Sequence, residues 1–280
     1  MPMWLRGCRR MAEAHQTTIS FALEKIGKGC VELLEELGYY LALTVESVFW
    51  IVAGRAHRQP VKLSATIQQM VEIGLAGLPI IFVLSFAIGV MLAIQGIHTL
   101  KQFGAETQVV LGIALSVTRE FGPLITGILV AGRSGSALAA RIGTMTVNQE
   151  VDALRVMGIN PVRYLVSPVL IAMMVMLPLV TLFSDFAALF GGAVFCNLEL
   201  GLSFAAYWDQ STAFITADDV LQGLSKSVVF GVIIALVGVT NGFMVSGGAE
   251  GVGKSTTRAV VLSISYIVLA DMAFTYFVNR

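Results

Sequence analysis

The sequence predicts an all-α polytopic membrane protein. It has an N-terminal interfacial amphipathic helix and about five transmembrane helices, with the N-terminus inside and the C-terminus outside. Three observations lead there. Of the 280 residues, 56% are hydrophobic and only 13% charged, whereas soluble chains run at about 45–50% and about 25%. Several stretches reach the roughly 20 apolar residues that a bilayer-spanning helix needs. Lysine and arginine also collect in alternate loops, the asymmetry that orients a membrane chain.

The spans fall at roughly 75–100, 108–132, 164–196, 223–246 and 258–278. The third holds Pro168 and Pro178. Before the first span lie Arg6, Arg9, Arg10, Lys25, Lys28, Arg55, Arg58 and Lys62. Between the second and third lie Arg133, Arg141, Arg155 and Arg163, and between the fourth and fifth lie Lys254 and Arg258. The opposite side has Lys101 and Arg280, and its longest loop, about 197–222, has Glu199, Asp209, Asp218 and Asp219 but no basic residue. The positive-inside rule therefore puts the N-terminus in the cytoplasm.

Residues 17–52 differ. Ile19, Leu23, Ile26, Leu33, Leu34, Leu37 and Leu41 recur at helical spacing among Glu24, Lys25, Lys28, Glu32, Glu35 and Glu36. Such a helix can lie in the membrane interface; the same face also suits packing on a partner or on the rest of the chain. The domain reading is residues 1–74 as an N-terminal cytoplasmic or interfacial helical segment and 75–280 as the transmembrane domain, with a cytoplasmic coupling segment at about 133–163.

Two stripes of small residues run at close to four-residue spacing: Gly127, Ala131, Gly135, Ala139, Gly143, and Gly231, Ala235, Gly238, Gly242. They allow close helix approach, within the chain or between two copies. Zero net charge gives no footprint for nucleic acid. Cys8, Cys30 and Cys196 are far apart, and His15, His57 and His98 form no ligand pattern with them, so no metal site and no nucleophile–base pairing is predicted.

The stretch "GGAEGVGKSTT" at 247–257 satisfies G-x-x-x-x-G-K-[ST], the pattern of a phosphate-binding loop. That loop needs a strand before it and an α/β domain around it. Here it joins two spans, and Asp271, which ends the Walker-B-like "YIVLAD", lies roughly 25 Å further along one helix at 1.5 Å per residue. The expected reading is a cytoplasmic turn containing Glu250, Gly251, Gly253 and Lys254, with Ser255, Thr256 or Thr257 capping the fifth helix. No cofactor is expected in this chain.

Between spans two and three, about 146–157 should be helical, with Val147, Val151, Leu154 and Met157 on one face and Gly158 and Pro161 as the stop. Thr146, Glu150 and Asp152 belong to the same segment, which suits the docking of a cytoplasmic partner. Arg119 and Glu120 sit inside span two, where charge is costly and usually faces protein or a watery cavity. Adjacent residues point apart on a helix, so the two should serve different surfaces. Glu120 suits either a lipid headgroup or an ion pair to another helix. Asp185 and Asp271 are further buried acids, with hydrogen-bonded packing favoured over a proton or ion relay. Lys226 is placed to snorkel to the interface.

"TREFGPLITGILVAGRSGSALAARIGTMTVNQEVDALRVMGINPVRYLVSP" and "GAEGVGKSTTRAVV" resemble the signature blocks of MlaE/YrbE-type permeases. These are the membrane subunits of MCE-associated ABC transporters, which move phospholipids in diderm bacteria and bear on outer-membrane lipid asymmetry. The resemblance runs over about 60–280. It departs at Lys254-Ser255, where the family commonly has Arg-Ala or a similar pair, and it is weakest over the first 55 or so residues. It implies a homodimer in the bacterial inner membrane and a separate cytoplasmic ATPase subunit that uses the ATP and docks near Thr146–Met157. It also implies a periplasmic MCE-domain ring, a hexamer in this family, and often a STAS-domain protein on the ATPase. Glu120, with Arg119 beside it, becomes the candidate for the family's lipid cavity. A permease for a sterol or fatty acid, or a membrane enzyme using Asp218-Asp219, are the alternatives.

Overall fold

The computed structural model describes residues 31, 34, 35, 38–52 and 62–278. The chain divides into two compact units, Met1–Val45 and Glu46–Arg280. Every regular element among the described residues is helical. In chain order these are α1 (Gly38–Val52), α2 (Leu63–Lys101), α3 (Val109–Val147), α4 (Glu150–Val156), α5 (Val162–Leu200), α6 (Phe204–Phe214), α7 (Ala217–Phe243) and α8 (Gly248–Val278). Of these, α2, α3, α5, α7 and α8 are long and apolar enough to cross a membrane. The chain is a multi-pass membrane protein.

Helix α1 is apolar but short of a crossing. It turns Leu41, Val45, Val48, Phe49 and Val52 outward. Within the second unit its last turns are tied to the start of α5: Asn160 donates to Glu46 Oε1 at 2.7 Å, and the Arg163 guanidinium lies 5.5 Å from the Trp50 ring centre. Most of the expected interfacial helix, along with Cys8, Cys30, His15, His57, Arg280 and the basic residues before Lys62, lies outside the described residues.

The membrane-spanning part of α2 begins at Leu78, after a break at Gly74 and a short 3₁₀ turn, Leu75–Gly77. It crosses α5 at close range. Ser85 and Ser184 share a buried hydrogen bond of 2.7 Å. A Cβ added at Gly89 would strike the Ala188 carbonyl, and one at Gly191 would strike the Phe86 carbonyl. Without a hydrophobic drive between helices in lipid, such small-residue contacts and buried hydroxyl pairs hold spans together.

The two small-residue stripes face each other inside the chain. A Cβ at Gly238 would meet the Gly135 carbonyl at 3.2 Å, and one at Gly242 would lie 2.7 Å from Ile142 Cβ. Both stripes are used in intrachain packing: Gly135, Gly238 and Gly242 join α3 to α7, Gly231 backs onto Met173 of α5, and Gly127 and Gly143 also meet Ile267 and Val252 of α8. Because α7 and α8 cover it, α3 stays helical through the polar stretch up to Val147, well past the expected end near 132.

Two other expectations are corrected. The expected loop at 197–222 is largely helix. Ser203 accepts the Ala206 N–H to start α6, and Thr216 and Asp219 form a reciprocal capping box that starts α7. The expected turn at Glu250, Gly251, Gly253 and Lys254 is likewise helical, since α8 begins at Gly248 behind two positive-φ glycines, Gly247 and Gly248. Ser255, Thr256 and Thr257 are therefore not caps. Their hydroxyls donate to carbonyls of Asn241, Val252 and Gly253.

Gly191→Ala should destabilise the full chain by about 1–3 kcal/mol, the usual cost of overpacking, read as a lower melting temperature in detergent. Gly112→Ala, where a Cβ meets nothing within 4 Å, should not lower it.

Candidate functional site

Helix α3 opens into a π turn at Val117–Phe121. Pro123 accounts for it. Proline has no N–H for the Arg119 carbonyl, and its ring crowds that oxygen. The Gly122 N–H instead returns five residues to Val117 O, widening the turn. The start of α5 repeats the device, with a π turn at Val162–Val166 ahead of Pro168.

The widened turn carries Arg119 and Glu120, about 100° apart around the axis. The expected separation onto different surfaces is only partial: both engage one face of α7, Arg119 at Asp219 and Glu120 at Lys226, and Glu120 also reaches α8. Arg119 Nε donates to Asp219 Oδ1 at 2.6 Å. Asp219 Oδ2 accepts from the Thr216 backbone N–H at 2.8 Å and its hydroxyl at 2.7 Å. The carboxylate that caps α7 thus also holds α3.

Glu120 points to α7 and α8. Lys226 Nζ donates to Glu120 Oε2 at 2.6 Å and to Thr275 Oγ1 at 2.9 Å, and it lies 3.0 Å from Asp271 Oδ1. The Thr275 hydroxyl donates to Glu120 Oε1 at 3.1 Å. The Lys226 side chain is 0% exposed, against 34% for Glu120 and 16% for Asp271. Lys226 therefore does not snorkel. It is buried because two carboxylates receive it, which is how a charge is tolerated inside a membrane protein.

The cluster holds two cations (Arg119, Lys226) and three carboxylates (Glu120, Asp219, Asp271). Asp219 and Lys226 are seven residues apart on one face of α7. Between them sits Gly223, where a Cβ would strike the Thr118 carbonyl, so α7 meets the π turn backbone to backbone. At 1.5 Å per residue, Glu120, Lys226 and Asp271 lie roughly 10–16 Å in from the nearer ends of their helices, all at the end opposite α4. Asp185 of α5 is buried beside Gly122, and its Oδ1 has no hydrogen-bond partner among the described residues.

Sequence reasoning singled out Arg119, Glu120, Lys226 and Asp271 separately but did not join them. It missed Asp219 and Thr275 as members. The available signal was depth for three of them: Glu120, Lys226 and Asp271 fall at comparable distances from the same end of their helices, whereas Asp219 lies in the first turn of α7.

At the other end, the expected helix over 146–157 is two pieces. Thr146 and Val147 close α3, with the Thr146 hydroxyl donating to Ile142 O at 2.9 Å. Gln149, at φ 60°, breaks the run, and Glu150–Val156 is a separate helix, α4. Its C-terminus closes with Ile159 N–H on Leu154 O and Gly158 N–H on Arg155 O, a Schellman pair at the positive-φ Gly158. Val151 is buried, Leu154 half-buried, and Asp152 pairs with Arg155 at 3.0 Å on the surface. Val156 and Met157 are 90% and 65% exposed. Lys254 and Glu250 form an exposed i,i+4 pair of 2.7 Å on α8.

Lys226→Met should destabilise the chain toward the lower end of the ~3–5 kcal/mol that accompanies a broken buried ion pair, because Glu120 keeps some solvent. Removing the two facing carboxylates as well, with Lys226→Met, Glu120→Gln and Asp271→Asn together, should recover part of that loss. Equal melting temperatures for the single and triple variants would deny the cluster a charge-balancing role.

The model of the family described as "Permease MlaE" matches residues 66–277. A probable ABC transporter permease protein of Rickettsia felis is 34% identical over 250 residues, covering 89% of this chain and 95% of the relative. The intermembrane phospholipid transport system permease protein MlaE of Haemophilus influenzae is 31% identical over 210 residues, covering 75% and 80%. The chloroplastic protein Trigalactosyldiacylglycerol 1 of Arabidopsis thaliana is 36% identical over 212 residues, covering 76% of this chain and 61% of the relative. With a family match running from the first turns of α2 to the end of α8, the chain belongs to the MlaE family of ABC transporter permeases.

Proposed function

We propose that this permease moves phospholipid between the bacterial inner membrane and a periplasmic MCE-domain partner, and that a separate cytoplasmic subunit hydrolyses the ATP. The observation that carries the reading is the unequal burial within the charge cluster. Lys226 is sealed, while Glu120 stays one-third open. A carboxylate held by a buried ammonium and left partly open is placed to meet a headgroup and to respond to it.

An apolar groove supports the same reading. It lies between α2 and α3, has a volume of about 320 Å³, and is walled by Leu92, Gly96, Val109, Gly112 and Ile113. That is the scale of a small-molecule site. Its last lining residue on α3 is Ser116, one turn before Glu120. An acyl chain fits such a wall. The Haemophilus relative, a phospholipid transport system permease protein by name, points to the same substrate class.

In this reading α4 faces the cytoplasm and docks the ATPase through Val156 and Met157, flanked by Glu150 and Asp152. Arg133, Arg141, Arg155, Arg163, Lys254 and Arg258 lie toward that end, consistent with positive-inside orientation, N-terminus in and C-terminus out. Two copies form the lipid path as a homodimer, beneath a hexameric MCE ring, with a STAS-domain protein on the ATPase.

Glu120→Gln, co-expressed with the ATPase and MCE subunits, should assemble normally but transfer phospholipid about tenfold more slowly, equivalent to roughly 1.4 kcal/mol. Wild-type transfer of labelled phospholipid by this variant between reconstituted vesicles would remove Glu120 from the lipid path. Val156→Asp should weaken ATPase co-purification by about tenfold or more, as expected for an exposed apolar anchor. Unchanged capture would take α4 out of the interface.

A further inference from the structure

A second polar site lies at the opposite end from the charge cluster. A cavity of about 90 Å³ opens between α2, α3 and α5, lined among others by Gln69, Glu72, Arg133, Arg141, Val169 and Met173. At about 30 Å³ per water it has the volume of about three waters, the scale of a phosphate group rather than of a whole lipid.

Its depth is informative. A Cβ at Gly77 would lie 3.1 Å from Arg133 Nη1. Gly77 ends the 3₁₀ turn at which the polar-and-apolar Leu63–Ile73 gives way to the apolar run from Leu78. The guanidinium therefore sits where water meets hydrocarbon. One turn further on, α2 exposes Ile80, Val83 and Leu84. Inside the cavity Val169 and Met173 form a buried apolar wall.

Its charge is unbalanced. Two guanidiniums face one carboxylate. Arg141 Nη2 donates to Gln69 Oε1 at 2.9 Å and Nη1 lies 3.5 Å from Glu72 Oε2, while Arg133 Nη1 reaches the Glu72 carbonyl at 3.4 Å. The Arg141–Glu72 pair is long and exposed, and such pairs contribute little. Each guanidinium has five N–H donors, so most remain available. Arginine forks match phosphate oxygens, and basic pockets between spanning helices at the interface bind anionic headgroups.

We propose that this pocket binds the phosphate of an anionic phospholipid, with Arg133 and Arg141 on the phosphate and the acyl chains laid along the exposed face of α2. It is separate from the Glu120 cluster and does not depend on the direction or substrate of transport. It would hold a resident lipid at this end of the helix bundle.

The test uses the full chain in non-ionic detergent, with lipid retention measured by native mass spectrometry. Phosphatidylglycerol should be retained about tenfold over phosphatidylcholine of the same chains, a difference of roughly 1.4 kcal/mol. Arg133→Gln with Arg141→Gln should abolish that preference. Ala137 is an exposed residue of the cavity lining; Ala137→Trp, which fills the cavity mouth without changing charge, should abolish the preference too, and Glu120→Gln should leave it intact. Four results would each overturn the proposal. One is no preference in the wild type. The second is loss with the arginine variant but not with Ala137→Trp, which marks diffuse surface attraction. The third is loss with Glu120→Gln, which assigns the lipid to the other end. The last is displacement by millimolar inorganic phosphate, which marks a site for a free anion.

Discussion

Lys226 is the constraint around which the half of this permease away from α4 is organised. An ammonium with no exposure at all must be neutralised from every side it faces. It is met by carboxylates from α3 and α8 and by the Thr275 hydroxyl. That requirement fixes how α3, α7 and α8 sit at this end. The same stretch of α7 holds Arg119 through Asp219, so one helix face satisfies both charges of the widened turn. The geometry is possible because Gly223 leaves no Cβ between the two backbones. Remove that space and neither Asp219 nor Lys226 reaches its partner.

The electrostatics and the packing are therefore the same design seen at two depths. Toward the α4 end, α7 and α3 approach through glycines and alanines and carry no charge between them. Toward the other end the contact is held by ion pairs. Small-residue contacts gain dispersion over a long seam but tolerate sliding, whereas a buried ion pair specifies one register. Helix α3 spans both regimes. Its π turn presents Glu120, and its far end joins α4 through only Asn148 and Gln149. It is the element that physically links the exposed apolar residues of α4 to the partly open carboxylate.

Much of the architecture was legible because lipid imposes so few options. Five apolar runs of sufficient length could only cross as helices, and all five are helices long enough to do so. What was not legible is where helices end. Polar residues at 133–147 and glycines at 248–253 look like loop when read locally. They are helical because α7 covers the first and because Gly247 and Gly248 supply a start for the second. The break at Gln149 has no local signal; a glutamine at positive φ is read only from the fold. The cluster was half legible: its charges stood out as costly, but their pairing is a fact of helix rotation and depth, which periodicity alone does not give.

The Walker-like stretch shows why a motif is only as good as its backbone. In a phosphate loop the glycines free backbone N–H groups to point at an anion. Here the helix has already begun at Gly248, so by Gly253 and Lys254 those groups are committed to carbonyls one turn back. The residues then do what helix residues do. Lys254 pairs with Glu250 on the surface. Ser255, the position that would hold magnesium in a nucleotide site, gives its hydroxyl to the Asn241 carbonyl and joins α8 to α7 across their shared turn. The Asn241 side-chain amide in turn donates to Val237 O within α7. The serine that completes the sequence pattern is thereby explained by a helix–helix contact, and the same contact keeps together the two helices that supply Lys226 and Asp271 to the cluster at the far end.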